Sequence, residues 1–300
     1  MNSSNQQQQA VIVPLNDEVI LQLEGPESAK FLQGQTTADF AQPEPLDAIS
    51  GAFCDVKGRV IADFLALIID AETILLRTHQ SLAEPLMAHL KKFLLFSKAD
   101  LRLSKWHCEA VIGPESHREL GIDLNTLSVS KACATDSGNN GGYLLTRQLS
   151  GDIVMSEWWI SSPRGTGMDN DNASIWYTAA IDRGEARVVA DTMGKYLPQD
   201  LNYDLNGTVN FKKGCYTGQE IIARLHWRGT PKRRLYQATC DGSIAPSPGC
   251  PLTDSDNKSA GSVVNAVHQG DRVVLAIETI EDGLVRGLYI KDSSTRLEMR

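Results

Sequence analysis

Several things are missing from this chain of 300 residues, and each absence narrows what it can be. There is no long apolar run: the longest, around Phe64 to Ile69, is far too short to span a bilayer as a helix. The six cysteines, at 54, 108, 133, 215, 240 and 250, form no C-x-x-C and no metal-finger spacing. No set of them has a spacing that would hold an iron–sulfur cluster, so no metal ligands are assigned. No secretory leader precedes them, and reduced thiols in a cytosol are the expectation. Positive charge is also lacking overall. A net charge of −8 argues against a protein that coats nucleic acid by electrostatics alone.

What is present is ordinary for a globular protein, with 22% charged and 42% hydrophobic residues. The length suits two or three domains with a substantial core. Residues 1–10, rich in Asn, Ser and Gln, read as a disordered tail. The charge is unevenly spread. Lys212, Lys213, Arg224, Arg228, Lys232, Arg233 and Arg234 fall in one stretch against Glu220 alone. A solvated basic face and an anion site both fit that stretch.

The chain is organised around Asn210-Phe211-Lys212-Lys213-Gly214-Cys215-Tyr216-Thr217-Gly218-Gln219-Glu220. Thr217-x-x-Glu220 has the form of a capping box and predicts a helix from about Gly218 to His226, with Ile221, Ile222 and Leu225 inward. Gly214 and Gly218 let the backbone turn or approach closely. Lys212, Lys213 and the helix N-terminus favour an anion, either a Cys215 thiolate or a ligand carboxylate. A buried, inert Cys215 inside a packing motif is the alternative.

Taken in order, Val11 to Leu23 predicts short strands around the Asn16-Asp17 turn, and Gly25-Pro26 a helix stopped by Gly34. Gly51–Asp55 and Val60–Ile69 predict two strands, the second a central one with apolar residues on both faces. Asp63 interrupts it. An inward carboxylate held by backbone amides is the plain explanation. Thr73–Thr78 predicts a strand, and Ser81-x-x-Glu84 a capped helix to about Leu94. Ala110–Ile112 predicts a strand and Pro114–Leu120 a short helix. Residues 137–142 and 163–172 read as loops around paired strands at Tyr143–Leu149 and Ile153–Ile160. A helix is expected from Ala173 to Gly184. From Leu235 onward, β-rich runs at Leu235–Cys240, Ser262–Val267, Val273–Ile277 and Leu284–Ile290 predict a small antiparallel barrel.

Lys-Gly-Cys-Tyr-x-Gly-Gln-Glu resembles the signature of the YgfZ-type folate-binding proteins, relatives of the glycine-cleavage T-protein, an aminomethyltransferase. Gln33 to Asp39 resembles the family's G-Q-x-T-A-D segment, Cys54-Asp55-x-Lys57-Gly58-Arg59 its C-D-x-K-G-[KR] turn, and Phe96-Ser97-Lys98 its F-S-K turn. The family's I-E-x-G reads here as Ile181-Asp182-Arg183-Gly184, followed by Leu197-Pro198-Gln199. The resemblance implies an α+β, T-protein-like fold: two interleaved α+β modules and a C-terminal antiparallel β-barrel around a central folate channel. The segments would be 11–46 with 105–230, 47–104, and 231–300.

The same resemblance implies a tetrahydrofolate-binding accessory protein of the cytoplasm. Iron–sulfur enzymes, including those that modify tRNA, are the implied clients, with any tRNA contact indirect. Cys215 would be the working thiol. Asp182, Asp63, Lys213, Tyr216, Gln219, Glu220, Arg224 and Arg228 would line the site for tetrahydrofolate or another reduced folate. Asp182 would take a pterin's paired donors, and Arg224 and Arg228 its glutamate tail. A true aminomethyltransferase is one alternative. The T-protein's carboxylate pair reads here as Ala62-Asp63, which speaks against it. A non-catalytic scaffold that docks tRNA or protein on the basic stretch is the other.

Overall fold

A computed structural model describes residues 11–135, 141–150, 153–163, 170–242, 245–293 and 295–300. The tail expected at 1–10, part of the loop at 137–142 and most of that at 163–172 fall outside them. Three antiparallel sheets carry the fold. One runs in the order Val11–Pro14, His107–Ile112, Ile153–Ile160, Gly142–Ser150, Cys133–Thr135. A second runs Ala48–Cys54, Val60–Ile68, Thr73–His79, Glu18–Glu24, Asp100–Leu103. The third runs Leu288–Ile290, Pro251–Asp254, Ser259–Gln269, Arg272–Ile280, Arg233–Asp241, Glu298–Met299. No described helix is long and apolar enough to cross a membrane.

The strand Val60–Ile68 shows why the middle sheet is central. All nine of its residues are buried. Successive side chains point to opposite faces. Ala62, Phe64, Ala66 and Ile68 pack in the largest core, while Leu65 and Leu67 join a second core with Val13, Ala110, Leu145, Met155 and Trp159 of the first sheet. The two five-stranded sheets therefore pack face to face through Leu65 and Leu67 of this strand. Asp63 is on that face. So is Arg77, which lies opposite Leu65 and Ile20 and two residues from Leu75 of the same core.

Several expectations shift. The segment expected as 11–46 is divided, because Glu18–Glu24 pairs with Thr73–His79 and Asp100–Leu103 in the second sheet, not with Val11–Pro14. A register dictated by apolar burial outweighs closeness in sequence. Gly34 does not stop its helix, which runs Ser28–Gln35. The helix Ala83–Leu94 has no side-chain cap; Ser81 lies in the preceding short turn, where its Oγ accepts from Ala190 N–H. Asn170–Asp182 is helical, starting ahead of Ala173. Leu284–Ile290 is only half strand: Glu281–Arg286 is helix and Leu288–Ile290 strand. The C-terminal barrel takes the form of a curled six-stranded sheet. Its edges approach through the final hairpin, where Leu297 N–H bonds Leu288 O and Ile290 N–H bonds Thr295 O.

Candidate functional site

Three of the motif stretches, Gln33–Asp39, Cys54–Arg59 and the block holding Cys215, meet although they are far apart in sequence. Gly218 has φ +83°, and a Cβ there would sit 2.4 Å from Asp55 O, so only glycine lets this turn lie against Asp55–Gly58. On the other side, Thr217 N–H bonds Gly34 O (3.2 Å) and Asn210 N–H bonds Thr37 O (2.9 Å). Lys213 ties the cluster together. Its Nζ donates to Gln33 O (2.8 Å), Thr36 O (2.7 Å) and Ala38 O, which uses all three ammonium protons. Burial pushes its pKa down to about 8.

The predicted capping box is absent. The N-cap is Gly218 and makes no side-chain bond, while Thr217 Oγ1 donates to Gln35 Oε1 (3.3 Å). A capping bond contributes only about 1 kcal/mol, and the close fit of Gly218 on Asp55 sets the helix entry instead. The helix runs Gln219–Arg228. Ile222 is fully buried and Leu225 half-buried, but Ile221, expected inward, is 39% exposed. Tyr216 packs in the main core with its hydroxyl pKa raised by burial, under the Lys213 ammonium (5.1 Å). Lys213 and Tyr216 therefore hold the turn rather than offer free groups to a ligand. Gln219 is half-buried, and Glu220, Arg224 and Arg228 are exposed.

Cys215 itself is exposed. Cys54, Cys108 and Cys240 are buried, and Cys133 and Cys250 are half-buried; all six thiols are free. Access decides which of them reacts. Brief treatment with iodoacetamide at neutral pH should label Cys215 first, and mass spectrometry would locate the adduct. Labelling of Cys133 or Cys250 ahead of Cys215 would refute this ordering.

A different place collects the buried charges. Between the two five-stranded sheets lies a cavity of about 300 Å³, lined by Asp63, Phe64, Trp176, Tyr177 and a row of arginines and glutamates; no residue of the 212–228 stretch lines it. Asp63 Oδ2 accepts from Val188 N–H (2.7 Å) and the Tyr203 hydroxyl (2.8 Å), and burial raises its pKa despite those bonds. The inward carboxylate read from the sequence is there, and it faces the cavity. Asp182 is not. Its carboxylate, 42% exposed, pairs with Arg300 (2.6 Å), so it is engaged by the C-terminal residue outside the cavity. Arg224 and Arg228 likewise do not line the cavity.

The cavity wall is an alternating series that sequence reasoning missed. Arg187 lies 2.6 Å from Glu18, and Glu18 lies 3.5 Å from Arg77. Arg77 makes a two-pronged bond to Glu157 (2.9 and 3.1 Å), which is 3.7 Å from Arg147. Arg147 reaches Glu185 (3.1 Å), which Arg183 holds with two bonds of 3.1 Å. Burial alone would raise every one of these acids. For Glu18 burial wins; for Glu157, Arg77 and Arg147 hold the pKa below the usual value; for Glu185, Arg147 and Arg183 hold it at about 2. The signal was available, since Arg77 and Glu157 interrupt apolar strands as Asp63 does. The series begins and ends with arginine. With Asp63 the wall carries four carboxylates against four guanidiniums, and it also offers the flat rings of Trp176 and Tyr177.

No protein-family profile matches the chain. Among curated proteins it is 29% identical over 273 residues to the tRNA-modifying protein YgfZ of Escherichia coli O157:H7, covering 88% of this chain and 83% of that one. The tRNA-modifying protein YgfZ of Yersinia pestis (strain Pestoides F) is 27% identical over 275 residues, covering 88% and 82%. Among solved structures, the glycine cleavage system aminomethyltransferase T from Bartonella henselae superposes with a TM-score of 0.67. It spans 97% of this chain and 84% of that one at 14% identity, a likeness of fold alone.

Proposed function

We propose that this chain, a relative of the YgfZ proteins on a T-protein-like fold, binds a reduced folate in the cavity between its two five-stranded sheets and presents Cys215 as a separate, exposed thiol. In this reading it assists iron–sulfur enzymes, those that modify tRNA among them. The observation that carries the proposal is the charged wall of the cavity. A pterin is flat and polar-edged, with a ring amide and an exocyclic amine that donate in parallel. Asp63 or Glu185 supplies the acceptors, and Trp176 or Tyr177 a flat neighbour. The carboxylates of the glutamate tail suit Arg187, which keeps a buried Nε–H without a partner among the described residues.

Calorimetric titration with tetrahydrofolate should give saturable heat. Asp63→Asn, which turns one acceptor oxygen into a donor, should weaken binding about tenfold or more, the scale of a charged hydrogen bond. Asp182→Asn should bind like the wild type, because Asp182 is paired with Arg300. Cys215→Ser should also keep its folate affinity while its function in cells falls. Neither heat nor a thermal shift at millimolar tetrahydrofolate would refute the proposal.

The likeness of fold to an aminomethyltransferase favours a second reading, direct one-carbon transfer. The residue before Asp63 is a fully buried alanine, which leaves that strand with one carboxylate where the T-protein resemblance implies a pair. An assay for one-carbon transfer to tetrahydrofolate from an aminomethyl donor separates the readings.

A further inference from the structure

The chain carries net negative charge, and most arginines of its interior are matched to carboxylates. At the end of the basic stretch Arg233 pairs with Glu278 (2.7 Å) and Arg234 with Asp204 (2.6 Å). Lys212, Arg224, Arg228 and Lys232 differ. They are exposed, and none has a carboxylate partner among the described residues. Arg224 and Arg228 stand four apart on the Gln219–Arg228 helix, one above the other on a single face. Glu220 shares that face one turn before Arg224, but forms no ion pair with it among the described residues.

Beside these cations is an aromatic group that burial does not explain. Trp227 is 69% exposed, whereas Trp158, Trp159 and Trp176 are buried. It stands edge-on to His226 (4.6 Å, 83°), and His226 is stacked on Phe211 (3.7 Å, 14°). Phe211 in turn precedes Lys212 and lies four residues before Cys215. The three rings fix the orientation of a large flat side chain that water surrounds, next to unneutralised cations.

We infer that this surface, Trp227 with Arg224, Arg228, Lys212 and Lys232, docks single-stranded RNA. Cations alone would suit any anion. The exposed ring selects among anions, because unpaired bases stack on aromatic side chains while their phosphates meet lysine and arginine. An acidic protein surface would use the cations but would not need the stacked platform. The inference deepens the functional reading by giving the chain its own contact with RNA beside Cys215.

The test is fluorescence anisotropy with a fluorescein-labelled single-stranded RNA of about twelve nucleotides, within the roughly 4–16 that such sites cover. The full chain should bind it, more weakly as salt rises from about 50 to 200 mM. Trp227→Ala should weaken binding about tenfold, the scale of one lost base stack, and Trp227→Phe should retain most of it. Arg224→Gln with Arg228→Gln should reduce the slope of log K against log salt by about 1.4, at roughly 0.7 per phosphate contact. Absence of binding at low salt, or equal binding by all variants, overturns the inference. So does polyglutamate that binds as tightly and with the same dependence on Trp227, which would make the partner an acidic protein. Tetrahydrofolate calorimetry on the same variants should match the wild type. RNA binding that fails while folate binds sinks only the docking surface, and the reverse outcome sinks only the folate reading.

Discussion

Arg77→Met should destabilise the fold by about 3–5 kcal/mol, the range for a buried ion pair that loses one partner. Arg77 is the hinge of the charged series. Its guanidinium bonds Glu157 twice and approaches Glu18, and both carboxylates have only 3% of their side-chain surface exposed. Removing it leaves two buried acids with fewer counter-charges. Arg147, at 3.7 Å, and the Trp159 indole N–H, at 3.0 Å, remain to Glu157, so the loss stops short of a bare buried charge. Urea unfolding at pH 7 measures it.

The sign of its pH dependence follows from Glu157. Arg77 and Arg147 hold its folded pKa below the unfolded value, against the effect of burial. Stability from that pairing is present above the unfolded value and is lost as pH falls through the folded one. In Arg77→Met the acid needs less counter-charge once protonated. The gap between wild type and variant should therefore narrow as pH drops through the carboxylate range. A loss under about 1 kcal/mol at pH 7 would mean that the series is solvated and contributes little, as exposed pairs do. Arg77→Met combined with Glu157→Met should recover part of the loss, since replacing both partners avoids an unpaired charge.

Lys213→Met should cost about 3 kcal/mol for a different reason. Three carbonyl oxygens, of Gln33, Thr36 and Ala38, converge on one ammonium, and two of the three bonds are buried. Each buried acceptor left alone costs about 1–3 kcal/mol. Lys213→Arg should not restore stability. A planar fork cannot aim three donors at one converging set of oxygens as an ammonium does. The Gln33–Asp39 segment should loosen in both variants, and Cys215, held on the same turn, should change its alkylation rate. Thermal unfolding and timed iodoacetamide labelling check the two effects. A loss well below 1 kcal/mol would show that water satisfies those carbonyls.

The cysteine block was legible as a turn ahead of a helix because its residues act locally: glycine at a positive-φ turn and a helix beginning after it. Its internal bonding was not legible. Thr217 and Glu220 have the spacing of a capping box, but Gly218 is pressed against Asp55, more than a hundred and fifty residues earlier, and that contact sets the turn. Lys213 read as a free cation; three carbonyls of another motif occupy it. Asp182 read as a ligand carboxylate, and Arg300 takes it.

The apolar run of Val60–Ile68 determined that it is a strand buried on both faces with Asp63 turned inward, and the sequence after Gly218 that a helix begins there, though not by the capping box expected for it. These depend on each residue's own conformational and solvation preferences. Only the tertiary structure decided where the charges meet. Glu18, Arg77, Arg147, Glu157 and Arg187 come from separate strands and a loop, and they form one series because two sheets face each other with those positions turned inward. A strand's alternation says that a charge is buried. It does not say against which partner, since that depends on how distant strands are registered and stacked.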